Sequence, residues 1–141
     1  MKKIVYPTDG SETAKEALKV VVDLARQERS EVIVAGAADL GTVEEIKDTV
    51  MEGMIKDASK GFVTEATDYL EKEGIHARGI VEMGRPNEVI VNSANSEGAS
   101  MIVMGTHRRT GLARAIIRSV TDRVIRHARQ PVVLVPAKVE D

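Results

Sequence analysis

The 141-residue sequence predicts an α/β fold: a single domain with a Rossmann-like open parallel sheet and helices on both faces. Three observations point there. Strand-like and helix-like segments alternate along the whole chain. The run Val32-Ile33-Val34-Ala35-Gly36-Ala37 is continuous and rich in β-branched residues, as in a strand covered on both sides. An apolar run, Met101 to Met104, breaks at Gly105 into a short polar loop, and a helix pattern opens on Ser119. That last layout is the one an anion site takes at the carboxyl edge of a parallel sheet.

The elements follow in order. Ile4-Val5-Tyr6 is a short first strand stopped by Pro7, and Asp9-Gly10-Ser11 is a turn. Ser11 or Thr13 can cap the first helix, and Thr13 with Glu16 has capping-box spacing. Ala14, Ala17, Leu18, Val21, Leu24 and Ala25 form one buried stripe. After the second strand, residues 38–43 are a loop containing Gly41. A helix pattern then runs from Glu44 to about Lys72, with Gly53 and Gly61 able to loosen it and Gly74 to stop it. Ala77 to Val81 is a weaker third strand. Gly84-Arg85-Pro86-Asn87 starts a third helix whose inner face is Val89, Ile90 and Ala94, ending at Gly98. The fourth strand leads into the loop, the last helix runs from Ser119 to about Ala128, and a fifth strand lies between Pro131 and Pro136. That strand has no helix after it, so it is expected at a sheet edge. Val132-Val133-Leu134-Val135 would be an aggregation hazard if bare, and pairing with its copy in a homodimer would cover it.

Composition excludes several classes. Cysteine is absent, which removes disulfides, iron–sulfur clusters and thiol catalysis and favours an intracellular compartment. No apolar stretch approaches the ~20 residues of a membrane span, and no signal peptide is visible, so a cytoplasmic location is expected. The only aromatics are Tyr6, Phe62 and Tyr69, too few for a stacking platform along single-stranded nucleic acid. Net charge is −2, but residues 105–129 hold seven arginines and one acid, Asp122. One basic loop-plus-helix in an acidic chain suggests a local anion site rather than a nucleic-acid face. Arg123, Arg126 and Arg129 also fit a solvated helix face.

If the first and fourth strands are neighbours, Pro7-Thr8-Asp9 and Gly105-Thr106-His107 share one crevice. A helix opening on Ser119 would aim its free N–H groups into it. Asp9 would repel phosphates and suits ribose hydroxyls or a base. No G-x-x-x-x-G-K-[ST] loop and no G-x-G-x-x-G after the first strand is present. His76, His107 and His127 lack metal-ligand spacing. No nucleophile–base pair is recognisable, so a binding module is expected rather than an enzyme.

Tyr6 to Thr13, Gly84-Arg85-Pro86, and the segment from Met104 to Val120 with Pro131 to Val135 resemble the universal stress protein family. The resemblance covers essentially the whole chain in order. It implies a stress-response protein with a five-stranded sheet of order 3-2-1-4-5, usually dimeric. In ATP-binding members it implies G-x2-G-x9-G-[ST] after the fourth strand. Carried onto this chain, Pro7, Thr8, Asp9 and Ala37 would lie near base and ribose. Met104, Gly105, His107, Ser119 and Val120 would lie near ribose and phosphates, with Mg²⁺ arriving on the phosphates. Gly105 and Ser119 match the motif, but Arg108 and Arg118 stand at the other two glycine positions. Glycine admits close backbone approach, which arginine blocks; arginine offers paired N–H donors instead. Three readings therefore stay open: a dimeric nucleotide-binding signalling module, a nucleotide-free interaction protein whose crevice is filled by Arg108 and Arg118, and a slow ATP hydrolase.

Overall fold

The computed structural model describes residues 1–39, 49–106 and 112–136. Five strands, β1 (Lys3–Pro7), β2 (Glu31–Ala38), β3 (Ala77–Met83), β4 (Met101–Thr106) and β5 (Val132–Pro136), form one sheet of order β3-β2-β1-β4-β5. All the pairings are parallel. Four helices connect them: α1 (Glu12–Glu28), α2 (Thr49–Lys72), α3 (Pro86–Glu97) and α4 (Leu112–His127). The predicted fold class and strand order are both observed.

Strand residues alternate between two cores, as the two-residue period of a strand requires. Ile4, Tyr6, Val32, Val34 and Val103 pack under α1 and α2, against Ala17, Val21, Val63 and Leu70. Val5, Ile33, Ala35, Ile102 and Met104 pack on the other face, against Ile90, Ala94 and Val124 of α3 and α4. The central strands β1, β2 and β4 are buried on both faces, which is why their sequences read as unbroken apolar runs.

Side chains of helix α2 occupy the space that two strand residues leave by lacking side chains. A Cβ on Gly36 would stand 2.5 Å from Ser59 Oγ, and one on Gly79 would stand 2.3 Å from Val63 Cγ1. Val63 thus fills the groove the two glycines leave. Gly53 and Gly61 do not interrupt α2, which runs through both. The stretch 44–48 expected to begin this helix, and the loop residues from 40 onward, lie outside the described residues.

Of the two candidate caps of α1 the structure selects one, and the start of α4 differs from expectation. The α1 cap is Ser11, whose Oγ accepts from the Ala14 N–H at 3.2 Å; Thr13 lies inside the helix, buried. Helix α4 begins at Leu112, not at Ser119. The stretch Leu112-Ala113-Arg114-Ala115 is made of strong helix formers, and nothing at Ser119 stops the helix from starting earlier. β5 occupies an edge, as expected, with Leu134 37% exposed.

Candidate functional site

Parallel strands deliver their carboxyl ends to one edge, and a ligand crevice opens where the strand order reverses. Here that point lies between β1 and β4, which pair through Ile4–Met101 and Val5–Ile102. A cavity of about 170 Å³ opens beyond them.

Its walls come from six elements or their flanking loops. Pro7 ends β1, and the chain continues the ladder one residue further, Thr8 N–H donating to the Ala35 carbonyl at 2.9 Å. Asp9 follows, in a turn in which its Oδ1 accepts from Ser11 N–H at 2.9 Å. Thr8 Oγ1 accepts from Gly10 N–H at 3.2 Å. These local bonds fix the loop before any ligand arrives. Ala35 and Ala37 of β2 supply a small apolar surface, and Met104 and Gly105 of β4 stand beside them. The first turn of α1 adds Ser11, Thr13 and Ala14. The first two turns of α3 add Pro86, Val89 and Ile90, and α4 adds Val120 and Thr121.

Seven of the residues singled out from the sequence therefore line one cavity: Pro7, Thr8, Asp9, Ala37, Met104, Gly105 and Val120. His107 and Arg108 lie outside the described residues. Arg118 and Ser119 belong to the interior of α4, which corrects the expectation that Ser119 opens a helix with free N–H groups. Backbone N–H groups are unpaired only in a helix's first turn. In α4 that turn starts at Leu112, and an anion site built on the N–H groups beyond Ser119 is not present.

Gly105 has a reason other than ligand approach. A Cβ there would stand 2.6 Å from the Thr13 carbonyl oxygen and 2.9 Å from Thr13 Cγ2. The missing side chain lets α1 press its first turn onto β4, and so fixes the crevice wall.

Sequence reasoning missed the contributions of α1 and α3. Its available signal was Gly84-Arg85-Pro86 after β3. In a parallel sheet that turn must lie at the same edge as Asp9, and Pro86 at the start of α3 does.

Among the described lining residues Asp9 is the sole formal charge, and it is exposed. The buried hydroxyl residues Thr13 and Thr121 join it. One carboxylate, several hydroxyls and small apolar walls can accept from vicinal hydroxyls and cover a flat ring. They give no positive charge for phosphates. No set of three or more His, Cys, Asp or Glu is placed to hold a metal ion among the described residues. No described helix is long and apolar enough to cross a membrane.

The family model of the universal stress protein family matches residues 1–136. Universal stress protein MJ0577 of Methanocaldococcus jannaschii is 32% identical over 155 residues, covering 97% of this chain and 96% of its own. The solved structure of MJ0577 superposes with a TM-score of 0.85 at 33% identity, covering 99% of this chain and 98% of that one. More distant structures share the fold. A family member from Arabidopsis thaliana with AMP bound has a TM-score of 0.74 at 13% identity, covering 99% and 94% of the two chains. A universal stress protein in complex with cAMP has 0.75 at 21%, covering 95% and 96%. The family model spans nearly the whole chain and the fold is shared with MJ0577, and the chain belongs to the universal stress protein family.

Proposed function

We propose that the crevice between β1 and β4 binds an adenine nucleotide, and that the chain is a single-domain, cytoplasmic signalling module rather than an enzyme. The observation that carries the reading is the cavity itself. It lies at the switch point, is walled by Ala35 and Ala37, and has one carboxylate, Asp9, at its rim. That combination suits the nucleoside half of a nucleotide. The ribose hydroxyls donate to Asp9, and the base lies against the small apolar walls. Two relatives of the same fold have AMP or cAMP bound, which supports this class of ligand. Phosphates, with any Mg²⁺ they carry, extend away from the Asp9 carboxylate, which repels them.

The working form is a homodimer paired through β5. The support is an edge strand with Leu134 exposed and the apolar run Val132–Val135. Nucleotide binding then alters a surface that partner proteins read.

Titration calorimetry with AMP, ATP and GTP, with and without Mg²⁺, tests the ligand. Asp9→Asn is expected to weaken AMP and ATP alike by about tenfold or more, the worth of a hydrogen bond to a charged acceptor. Ala37→Leu, which fills the cavity, is expected to abolish binding. Full affinity in both variants would refute the assignment. Light scattering of wild type against Val133→Lys tests the dimer: the variant is expected to be monomeric.

A further inference from the structure

The three aromatic side chains of this sequence, Tyr6, Phe62 and Tyr69, converge on one place. They line a cleft of about 200 Å³ between α1 and α2, on the opposite side of β1 from the α3/α4 core. In a chain with so few aromatics, this convergence is the feature that the nucleotide reading does not use.

The three are placed for different tasks. Tyr6 is the floor: it is 1% exposed and its hydroxyl donates to the Ala14 carbonyl. Phe62 and Tyr69 are the walls, 39% and 41% exposed. They stand at the cleft rather than in the core. Leu18 and Ala66 complete the apolar surface. The rim is charged. Lys15 and Lys19 come from α1, and Glu65 comes from α2.

The volume exceeds the ~150 Å³ of an apolar cavity that takes up benzene, so one ring with a small substituent fits. The lining carries two ammonium groups, Lys15 and Lys19, against one carboxylate, Glu65, with Glu12 and Glu16 beside the lysines, so an anionic substituent binds by taking over ion pairs already made. The existing ion pairs oppose this little. Lys15 lies 3.7 Å from Glu65 and 3.8 Å from Glu12, and Lys19 lies 3.3 Å from Glu16, all with well-exposed lysines. Such pairs cost little to rearrange.

We propose that this cleft is a second ligand site, taking a single-ring aromatic carboxylate. The ring lies between Phe62 and Tyr69 over Tyr6, and the carboxylate meets Lys15 and Lys19. The cleft backs onto the nucleotide crevice: Thr8 borders both cavities. The Phe62 ring also rests on Gly10, where a Cβ would lie 2.4 Å from Phe62 Cδ1.

Benzoate is the probe, followed by amide chemical shifts in ¹H–¹⁵N spectra of the whole chain. Saturable shifts are expected at Gly10, Lys15, Phe62 and Ala66. Phe62→Ala and Tyr69→Leu are each expected to weaken benzoate about tenfold, the loss of a stacking partner and its buried area. Lys15→Met with Lys19→Met is expected to weaken benzoate about tenfold and leave benzyl alcohol unchanged, since only the anion needs the ammonium groups. Both aromatics are well exposed, so the fold survives; should Phe62→Ala unfold, Tyr69→Leu decides. Shifts at Ala37 and Thr121 instead, or unchanged affinity in the aromatic variants, would overturn the proposal. So would equal losses for benzoate and benzyl alcohol in the lysine variant.

Discussion

Replacing Gly105 with alanine separates two explanations of why a glycine stands at the end of β4. The added methyl would lie 2.6 Å from the Thr13 carbonyl oxygen, 2.9 Å from Thr13 Cγ2 and 3.0 Å from the Thr13 carbonyl carbon. Ordinary contact begins near 3.4 Å, so the oxygen must retreat by about 0.8 Å. It is a backbone atom in the first turn of α1 and cannot rotate away. The helix must move, and with it its own Ala17 and Val21, which are fully buried against the sheet. Overpacking of this kind costs about 1–3 kcal/mol. In a urea titration with m near 2 kcal/mol/M, the midpoint is expected to fall by about 0.5–1.5 M with m unchanged. Gly53→Ala is the internal control. Nothing lies within 4 Å of that Cβ, and the site is in α2. It should stabilise by up to about 1 kcal/mol through helix propensity. If Gly105→Ala kept full stability and lost nucleotide affinity alone, the glycine would be there for the ligand, and the packing argument would fail.

Other expectations follow from the same contacts. Gly79→Ala should destabilise by about 1–3 kcal/mol through Val63, and Val63→Ala should relieve most of that cost in the double variant, a coupling a double-mutant cycle reads directly. Tyr6 is pushed up to about 12, chiefly by burial and, more weakly, by the Asp9 and Glu65 carboxylates, against a hydrogen bond with Thr8 that lowers it. Its neutral form is the one the fold holds. Stability is therefore full below pH 10 and is lost as pH rises from 10 toward 12, by about 3 kcal/mol. Tyr6→Phe should flatten that alkaline decline in thermal melts; an unchanged slope would discredit it. Arg118→Gly should cost about 1 kcal/mol as a glycine in a helix interior, with a matching loss of far-ultraviolet helical signal.

What could be read from the sequence follows from how each residue is buried. Ile4, Val5, Val32, Ile33, Val34, Ile102 and Val103 are fully buried, and strands closed on both faces leave an unbroken apolar run. β3 lies at the other edge, with Arg78, Gly79, Glu82 and Met83 exposed, so its signal was weak and its end fell short of Met83. That Thr8, Asp9 and Gly105 share one crevice was legible because parallel topology forces strand ends to one edge. Thr13, Val89 and Thr121 were not. Their place in the crevice depends on how α1, α3 and α4 tilt over the sheet, which no local spacing records.

The beginning of α4 shows how one substitution can mislead a motif argument. Ser119 with Asp122 has cap spacing, and the family resemblance puts a glycine at 118, a residue that favours a break before a new helix. Arginine stands there instead. Glycine costs about 1 kcal/mol in a helix interior, and arginine is among the good formers. With Leu112, Ala113 and Ala115 upstream, the balance tips toward one continuous helix through 118. The departure that removes the glycine is thus the same change that lets the helix run early. The positive end of α4 therefore stands at Leu112 and not at Ser119.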